Sequence, residues 1–155
     1  MKYRLAIEED FPQLAQMRWD FQVEDDAEKP IVEKAEFLEK CIGYLQKSSA
    51  RGDWTFWIAE ENGEIISQMF VHTIESVPRP ARLENLWGYL TNVYTKPAFR
   101  GRGTGAQLLQ KVKLWAAEQD FELLIVSPSD DSIKFYGREG FAEQTDFYQL
   151  RLRDF

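Results

Sequence analysis

Apolar residues at helical spacing alternate along this chain with short runs that favour β-strands. In the first half, the pattern predicts a strand, two helices and a hairpin whose Asn62-Gly63 turn suits the left-handed conformations of tight turns. The strands are predicted over Tyr3–Ile7, Trp54–Glu60 and Glu64–Thr73. The helices are marked by Leu14, Met17 and Phe21 after an Asp10-Phe11-Pro12 start, and by Ile31, Ala35, Leu38, Ile42 and Leu45 before an end near Ser48-Ser49.

The second half predicts a strand-turn-helix-strand unit with further elements behind it. The unit comprises a strand over Leu86–Thr95, a glycine-rich turn, an amphipathic helix over Thr104–Glu118 and a nearly all-apolar strand over Glu122–Ser127. Ser129 can cap a further helix that runs to about Arg138 and is ended by Gly140, and Phe147–Arg153 alternates like a terminal strand.

Length and composition favour one folded domain over residues 1–155, because 44% of the residues are hydrophobic and can form a core. One cysteine, Cys41, cannot form an internal disulfide, and one histidine, His72, cannot build a Cys/His zinc site, so no metal is expected. The N-terminus lacks the apolar region of a signal peptide, and no apolar stretch is long enough to span a bilayer. We therefore expect a cytoplasmic protein without a membrane partner.

The charge distribution points to an anionic ligand on one segment. The net charge of −7 disfavours nucleic acid as a partner. However, no carboxylate side chain occurs between Glu84 and Glu118. Five cations lie in that interval, namely Lys96, Arg100, Arg102, Lys111 and Lys113. Either an anion binds there, or the pattern is chance in a short chain.

Within this interval lies the turn Arg100-Gly101-Arg102-Gly103-Thr104-Gly105, between a predicted strand and a predicted helix. Glycines allow close backbone approach and a helix start offers free N–H groups, so a phosphate suits the turn; the alternative is an ordinary strand-to-helix turn. A P-loop is excluded because no Gly-Lys-Ser/Thr triplet occurs. A dinucleotide fingerprint is excluded because the spacing is G-x-G-x-G and the position about 20 residues on, where an acidic residue is needed, falls within Leu123–Val126.

The turn resembles the acetyl-CoA motif of the GCN5-related N-acetyltransferase (GNAT) superfamily, with Arg100, Gly103 and Gly105 at the motif positions. A second segment, Ser132–Phe141, is similar to the family's A-x-x-F-Y-x-x-x-G-F pattern. The order of predicted elements also follows the family along the whole chain. The resemblance implies an α/β fold with a central, mostly antiparallel mixed sheet, a splayed parallel pair formed by the fourth and fifth strands, and flanking helices.

The resemblance further implies acetyl-CoA as co-substrate and assigns its site. Backbone groups of Val93, Tyr94 and Thr95 would bind the pantetheine arm, since strand-edge pairing gives affinity through the main chain. The remaining implied cofactor-binding residues are Arg100, Gly101, Arg102, Gly103, Thr104, Gly105, Ser129 and Ser132. Ser129 and Ser132 depart from the family, which often has Asn and Ala there. Tyr136 would act as general acid toward the leaving thiolate; the alternative is a packing aromatic.

The acceptor side is less defined by sequence. Glu84 is the predicted general base, with Glu75 and His72 as alternatives. Cys41 is expected to be buried rather than to carry the acetyl group, and this expectation favours direct transfer in a ternary complex. The predicted substrate-binding residues are Trp19, beside an acidic run that could attract a cationic amine, and Asn92. The expected acceptor is a small-molecule or peptide amine, and the sequence is compatible with a homodimer. The rival function is a non-catalytic acyl-CoA-binding or sensing domain on the same fold.

Overall fold

The computed structural model describes residues 1–26, 28, 32–144 and 148–152. Its centre is a five-stranded sheet in the order β1-β2-β3-β4-β5, antiparallel except for the parallel pair β4 and β5. The strands are β1 (Lys2–Leu5), β2 (Trp54–Glu61), β3 (Glu64–Glu75), β4 (Leu86–Thr95) and β5 (Phe121–Val126). The α-helices are α1 (Phe11–Asp25), α2 (Lys34–Arg51), α3 (Thr104–Glu118) and α4 (Ile133–Arg138). This mixed sheet with flanking helices confirms the predicted fold class.

The two faces of the sheet carry separate apolar clusters. On one face, Leu14 and Met17 of α1 pack with Phe56 and Phe70 of the sheet, and both α1 side chains are at most 1% exposed. On the other face, Leu108, Leu109 and Val112 of α3 pack with Met69, Val71 and Leu90 of the sheet. Complete burial of each such side chain contributes about 1.5–3 kcal/mol. The helices are therefore fixed on opposite sides of β4.

Most element boundaries lie where the apolar pattern predicts them. The bounds of β4 and α3 agree with the prediction, and the Asn62-Gly63 turn has the positive φ angles of 53° and 81° that a tight hairpin needs. β1 is shifted to Lys2–Leu5. α2 continues beyond Ser48-Ser49 to Arg51, because Gly52 supplies the left-handed residue that ends it. Ile31 lies outside the described residues.

Two predictions near the C-terminus need correction. The helix after Ser129 is divided into a 3₁₀ turn (Asp130–Ser132) and α4, and the Ser129 hydroxyl caps no backbone N–H; it donates to Ser132 Oγ instead, at 3.1 Å. The terminal strand predicted over Phe147–Arg153 is not formed in residues 148–152, while both of its ends lie outside the described residues. Tyr148, Leu150 and Leu152 are 82–99% exposed, so their alternation has no apolar face to pack on.

The parallel pair separates along its length. The β4–β5 ladder ends where Leu90 pairs with Val126, and β4 then continues alone on that side through Thr95. A bulge changes the register on its other side, since Gln68 of β3 faces Tyr94 whereas Phe70 faces Thr91. β4 thus carries one extra residue in the segment where it leaves β5. The gap between the two strands forms the floor of the cleft described next.

Candidate active site

A cleft of about 550 Å³ opens where β4 separates from β5, within the size range of small-molecule sites. Its walls come from four parts of the fold: α1, the C-terminal half of β4, the start of α3 and the segment that leads from β5 into α4. The lining residues discussed below are Arg18, Phe21, Asp25, Asn92, Val93, Tyr94, Thr95, Arg100, Gly105, Ser129, Asp131, Ser132 and Tyr136. The cleft therefore joins both sequence motifs to α1.

The glycine turn leads into α3 with a conformation suited to glycine. Gly101 and Gly103 have φ angles of 73° and 78°, and α3 begins at Thr104. The first helical N–H with an acceptor one turn back belongs to Gln107, which donates to the Gly103 carbonyl at 2.9 Å. The N–H groups ahead of it, on residues 104–106, have no acceptor within the helix. Together with the positive end of the helix dipole, they form a site that fits a phosphate group.

The Arg100 side chain turns away from this glycine turn toward α1. Its Nη1 lies 2.6 Å from Glu24 Oε1, its Nε donates to the Thr95 carbonyl at 2.8 Å, and its guanidinium lies over the Tyr94 ring. Tyr94 Oη donates to the other Glu24 oxygen at 3.0 Å. The hydrogen bond from Arg100 holds the pKa of Glu24 below its ordinary value, whereas burial together with Glu24 raises the pKa of Tyr94 to about 12. This network ties the end of α1 to β4.

Tyr136 lies across the cleft on α4 and is 6% exposed. Burial raises the pKa of its phenol to about 12, because the phenolate is disfavoured among apolar neighbours such as Phe135 and Phe141. The hydroxyl makes no hydrogen bond to any residue that the structure describes. Ser132, one turn before Tyr136, lines the same cleft, and its Oγ donates to the Ser129 carbonyl at 2.9 Å. Tyr136 is thus a protonated donor whose proton is not shared with any of the described residues.

Two polar residues define the α1 side of the cleft. Asn92 sits at the β4 bulge with a φ of 49°, is 8% exposed, and its Nδ2 has no hydrogen-bond partner among the described residues. Its Oδ1 accepts from Arg18 Nη1 at 3.3 Å, and Arg18 Nη2 donates to Gln22 Oε1 at 2.7 Å. Burial lowers the pKa of Arg18 from its ordinary value. A cation and an amide therefore share this wall.

The predicted site residues divide into those that meet in the cleft and those that do not. Val93, Tyr94, Thr95, Arg100, Gly105, Ser129 and Ser132 line it together with Asn92 and Tyr136. Gly101, Arg102 and Gly103 belong to the adjoining turn, where the Arg102 guanidinium lies over the Phe99 ring, and Thr104 is the first residue of α3. Trp19 packs on Phe37 and Glu84 is exposed before β4; neither is among the described residues that line the cleft, and their roles stay predictions.

The alternative bases and the cysteine also lie apart from this lining. His72 stacks on Trp54 and lies 3.4 Å from Asp53 Oδ2, and Glu75 is exposed at the end of β3. Cys41 packs against the first apolar cluster, and burial raises the pKa of its thiol, which disfavours a nucleophilic role.

Sequence reasoning missed Arg18. A signal was present, because Arg18 follows Leu14 by four residues and precedes Phe21 by three, so it falls on the apolar face of α1. A charged residue on a buried helix face is uncommon unless it has a partner or a function. Asp131 also lines the cleft and was not singled out.

Comparison with known proteins identifies the family. The model of the GNAT acetyltransferase domain matches residues 52–143, more than half of the chain. The chain therefore belongs to the GNAT acetyltransferase family. A search of curated proteins gave no match.

Solved structures agree with this assignment. A predicted acetyltransferase from Clostridium acetobutylicum, crystallised with acetyl-CoA, is 26% identical with a TM-score of 0.81, and the match covers 97% of this chain and 96% of that one. A GCN5-related N-acetyltransferase from Ralstonia eutropha is 22% identical with a TM-score of 0.76, covering 97% of both chains. Glucosamine-6-phosphate N-acetyltransferase from Arabidopsis thaliana is 17% identical with a TM-score of 0.72, covering 98% of both chains. The last two likenesses concern the fold alone.

Within the described residues, no helix is long and apolar enough to cross a membrane.

Proposed function

We propose that this protein is an acetyl-CoA-dependent N-acetyltransferase that passes the acetyl group to a primary amine by direct attack in a ternary complex. The observation that carries the proposal is the cleft itself, which joins the glycine turn, the unpaired edge of β4 and the uncommitted hydroxyl of Tyr136. Acetyl-CoA supplies an acetyl group activated as a thioester. The following steps concern what this chain's own residues do.

The glycine turn and the start of α3 are the proposed pyrophosphate site. The N–H groups of residues 104–106 lack acceptors within the helix, and the positive φ angles at residues 101 and 103 suit glycine, which has no side chain to block a ligand. Arg102 adds positive charge nearby. Arg100 contributes mainly through its backbone, because its guanidinium is paired with Glu24.

The segment Val93–Thr95 is the proposed pantetheine site. Beyond Leu90 the β4 backbone is not paired with β5, so its N–H and carbonyl groups on that side can pair with an extended amide-containing arm. The bulge at Asn92 increases the local twist of β4 where the arm would end. Backbone donors near this bulge would polarise the carbonyl under attack, a contribution that oxyanion-binding donors typically make.

Tyr136 is the proposed general acid. The acceptor nitrogen forms a bond to the acetyl carbon, the carbon–sulfur bond breaks, and Tyr136 gives its proton to the departing sulfur. Its raised pKa of about 12 keeps this proton in place at neutral pH. The nitrogen loses its own proton to water at the open cleft, and water restores the proton of Tyr136. Atoms and charges then balance to one acetamide and one free thiol.

A binding and turnover experiment tests this proposal. Calorimetry and thermal melts with acetyl-CoA measure binding, and a panel of primary amines with detection of the released CoA thiol measures transfer. At a hundredfold excess over Kd, binding should stabilise the fold by about 2.7 kcal/mol. Release in the absence of amine is the control for hydrolysis. Absence of binding would overturn the proposal, whereas binding without transfer to any amine would favour an acyl-CoA sensor.

A further inference from the structure

Arg18 is a cation in the cleft whose contacting partners among the described residues are all uncharged. Its guanidinium donates to Asn92 Oδ1 and to Gln22 Oε1 and lies 5.6 Å from the centre of the Phe21 ring. It forms no ion pair with any carboxylate in the described part of the chain. Arg100, the other arginine that lines this cleft, is paired with Glu24 at 2.6 Å. Among the described residues, the positive charge of Arg18 is therefore not balanced by a carboxylate in direct contact, and Asp25 acts on it only at longer range.

Holding such a group in this position costs free energy. A guanidinium has five N–H donors, of which two are used here, and arginines withdrawn from water are normally paired with carboxylate or phosphate. Asp25, which also lines the cleft, lies seven residues further along α1 and acts on Arg18 electrostatically, but no hydrogen bond or ion pair joins these two side chains. The unused donors match the geometry of a planar or tetrahedral oxyanion.

The neighbouring amide gives a second, independent observation. Asn92 is more than nine-tenths buried, has a left-handed backbone with a φ of 49°, and leaves Nδ2 without a partner among the described residues. Unsatisfied buried polar groups each cost about 1–3 kcal/mol, and backbone strain of this kind clusters at functional sites. The polar wall around Arg18 is thus incomplete by itself.

We propose that Arg18, positioned by Asn92, binds an anionic oxygen group of the acceptor, so that the preferred acceptors are amines that also carry a carboxylate or a phosphate. This inference rests on the proposed acetyl transfer and names its substrate class. An oxyanion supplies a counter-charge in direct contact with Arg18, which none of the described residues provides, while the amine of the same molecule faces the cleft floor between β4 and Tyr136. Polyamines and other acceptors that carry only positive charge are disfavoured, because they would bring a second cation to the same wall.

Matched acceptor pairs test the proposal. One pair is an amino acid and its primary amide; the other is glucosamine 6-phosphate and glucosamine. Each pair is measured with the wild type, Arg18→Gln, Arg18→Lys and the control Arg51→Gln, which removes a surface charge at the end of α2, outside the cleft lining. The two pairs distinguish a carboxylate from a phosphate source. Comparing wild type with variant for both members of a pair cancels differences in amine basicity.

We expect Arg18→Gln to raise KM for the anionic member about tenfold to a hundredfold in at least one pair, with little change for the neutral member. Arg18→Lys should restore part of the loss, because the charge returns without the planar fork. The control should behave as the wild type, and acetyl-CoA affinity and the melting temperature of the variants identify any general damage to the fold.

The inference is overturned if Arg18→Gln changes both members of each pair equally, or if neutral amines are acetylated while no anionic amine is. Failure of acetyl-CoA to bind the wild type, or binding without transfer to any amine, would instead count against the proposed function. The two failures are therefore distinguishable in one set of measurements.

Discussion

Replacing Gly103 with valine tests whether the glycine turn binds phosphate or only connects β4 to α3. Gly103 has a φ of 78°, and a Cβ there would meet only Gln107 Nε2, at 3.8 Å, so the protein itself offers no steric conflict. The cost to folding comes from the left-handed backbone, about 2 kcal/mol for a non-glycine residue and more for a β-branched one. The cost to binding comes from an isopropyl group in the turn proposed to hold the pyrophosphate.

Gly52 provides a matched control. It ends α2 with a φ of 77° and a ψ of 7°, close to the 78° and 2° of Gly103, and no atom lies within 4 Å of its hypothetical Cβ. Gly52→Val should therefore suffer the same backbone strain without touching the cleft. Both variants should melt lower than the wild type by roughly 4–8 °C, since about 1 kcal/mol corresponds to 2–4 °C in a domain of this size.

The two variants should differ in their response to acetyl-CoA. At a hundredfold excess over the wild-type Kd, the ligand should raise the melting temperature of the wild type and of Gly52→Val by roughly 5–11 °C. A hundredfold loss of affinity in Gly103→Val would reduce the stabilisation to about 0.4 kcal/mol, or about 1 °C. Differential scanning fluorimetry and calorimetry measure both quantities. If acetyl-CoA raised the melting temperature of both variants equally, the phosphate-binding role would be refuted and Gly103 would be part of an ordinary strand-to-helix turn.

Three further perturbations have defined outcomes. Tyr136→Phe should lower turnover at saturating acetyl-CoA toward the low end of a 10²–10⁴-fold range without weakening the binding of acetyl-CoA, and equal turnover would remove Tyr136 as the proposed acid. Because burial raises the pKa of Tyr136 to about 12, the wild-type rate should not fall between pH 7 and 10. Gly88→Ala should cost about 1–3 kcal/mol in chemical denaturation, since its Cβ would collide with Leu124 Cδ2 in the sheet, and an unchanged midpoint would contradict this packing. Asp10→Asn should cost about 1–3 kcal/mol at pH 7 by weakening its bonds to Arg4. Because Arg4 lowers the pKa of Asp10, the contribution of this carboxylate to the free energy of unfolding is full above about pH 4 and is lost as pH falls through the folded-state pKa. An equal loss of stability in Asp10→Asn at pH 7 and at pH 2 would therefore argue against a charge effect.

Local signals in the sequence predicted those parts of the fold that local interactions determine. The Asn62-Gly63 pair fixes its hairpin because both residues tolerate positive φ, and the bounds of α3 follow from Gly103 before it and the periodic apolar face within it. The end of α2 was predicted too early, although Gly52 carried the stop signal, because the apolar stripe was followed only as far as Leu45.

Features that depend on pairing between distant segments could not be predicted in the same way. The β4 bulge exists only relative to β3, so nothing in the Asn92-Val93-Tyr94 sequence alone indicates the extra residue. A local choice was equally unpredictable: the Ser129 hydroxyl donates to Ser132 Oγ, whereas a capping hydroxyl would accept from a backbone N–H of the same short segment. The partner of Arg100, Glu24, is 76 positions away and is brought to it only by the packing of α1 on the sheet.

The cofactor half of the cleft could be predicted from the sequence better than the acceptor half, because the two halves would recognise their ligands by different means. The cofactor half consists of backbone groups that require particular conformations, so it constrains glycines and leaves a motif in the sequence. The acceptor half consists of side chains on α1 and at the bulge, whose chemistry depends on which charges lie near one another. Glu24 illustrates the difference: in the sequence it belongs to an acidic run that favours a cationic acceptor, yet in the fold it is bound to Arg100 and Tyr94. With that carboxylate occupied, the guanidinium of Arg18, which has no ion pair among the described residues, supports the proposed preference for an anionic acceptor, and the acidic run alone would not indicate such a preference.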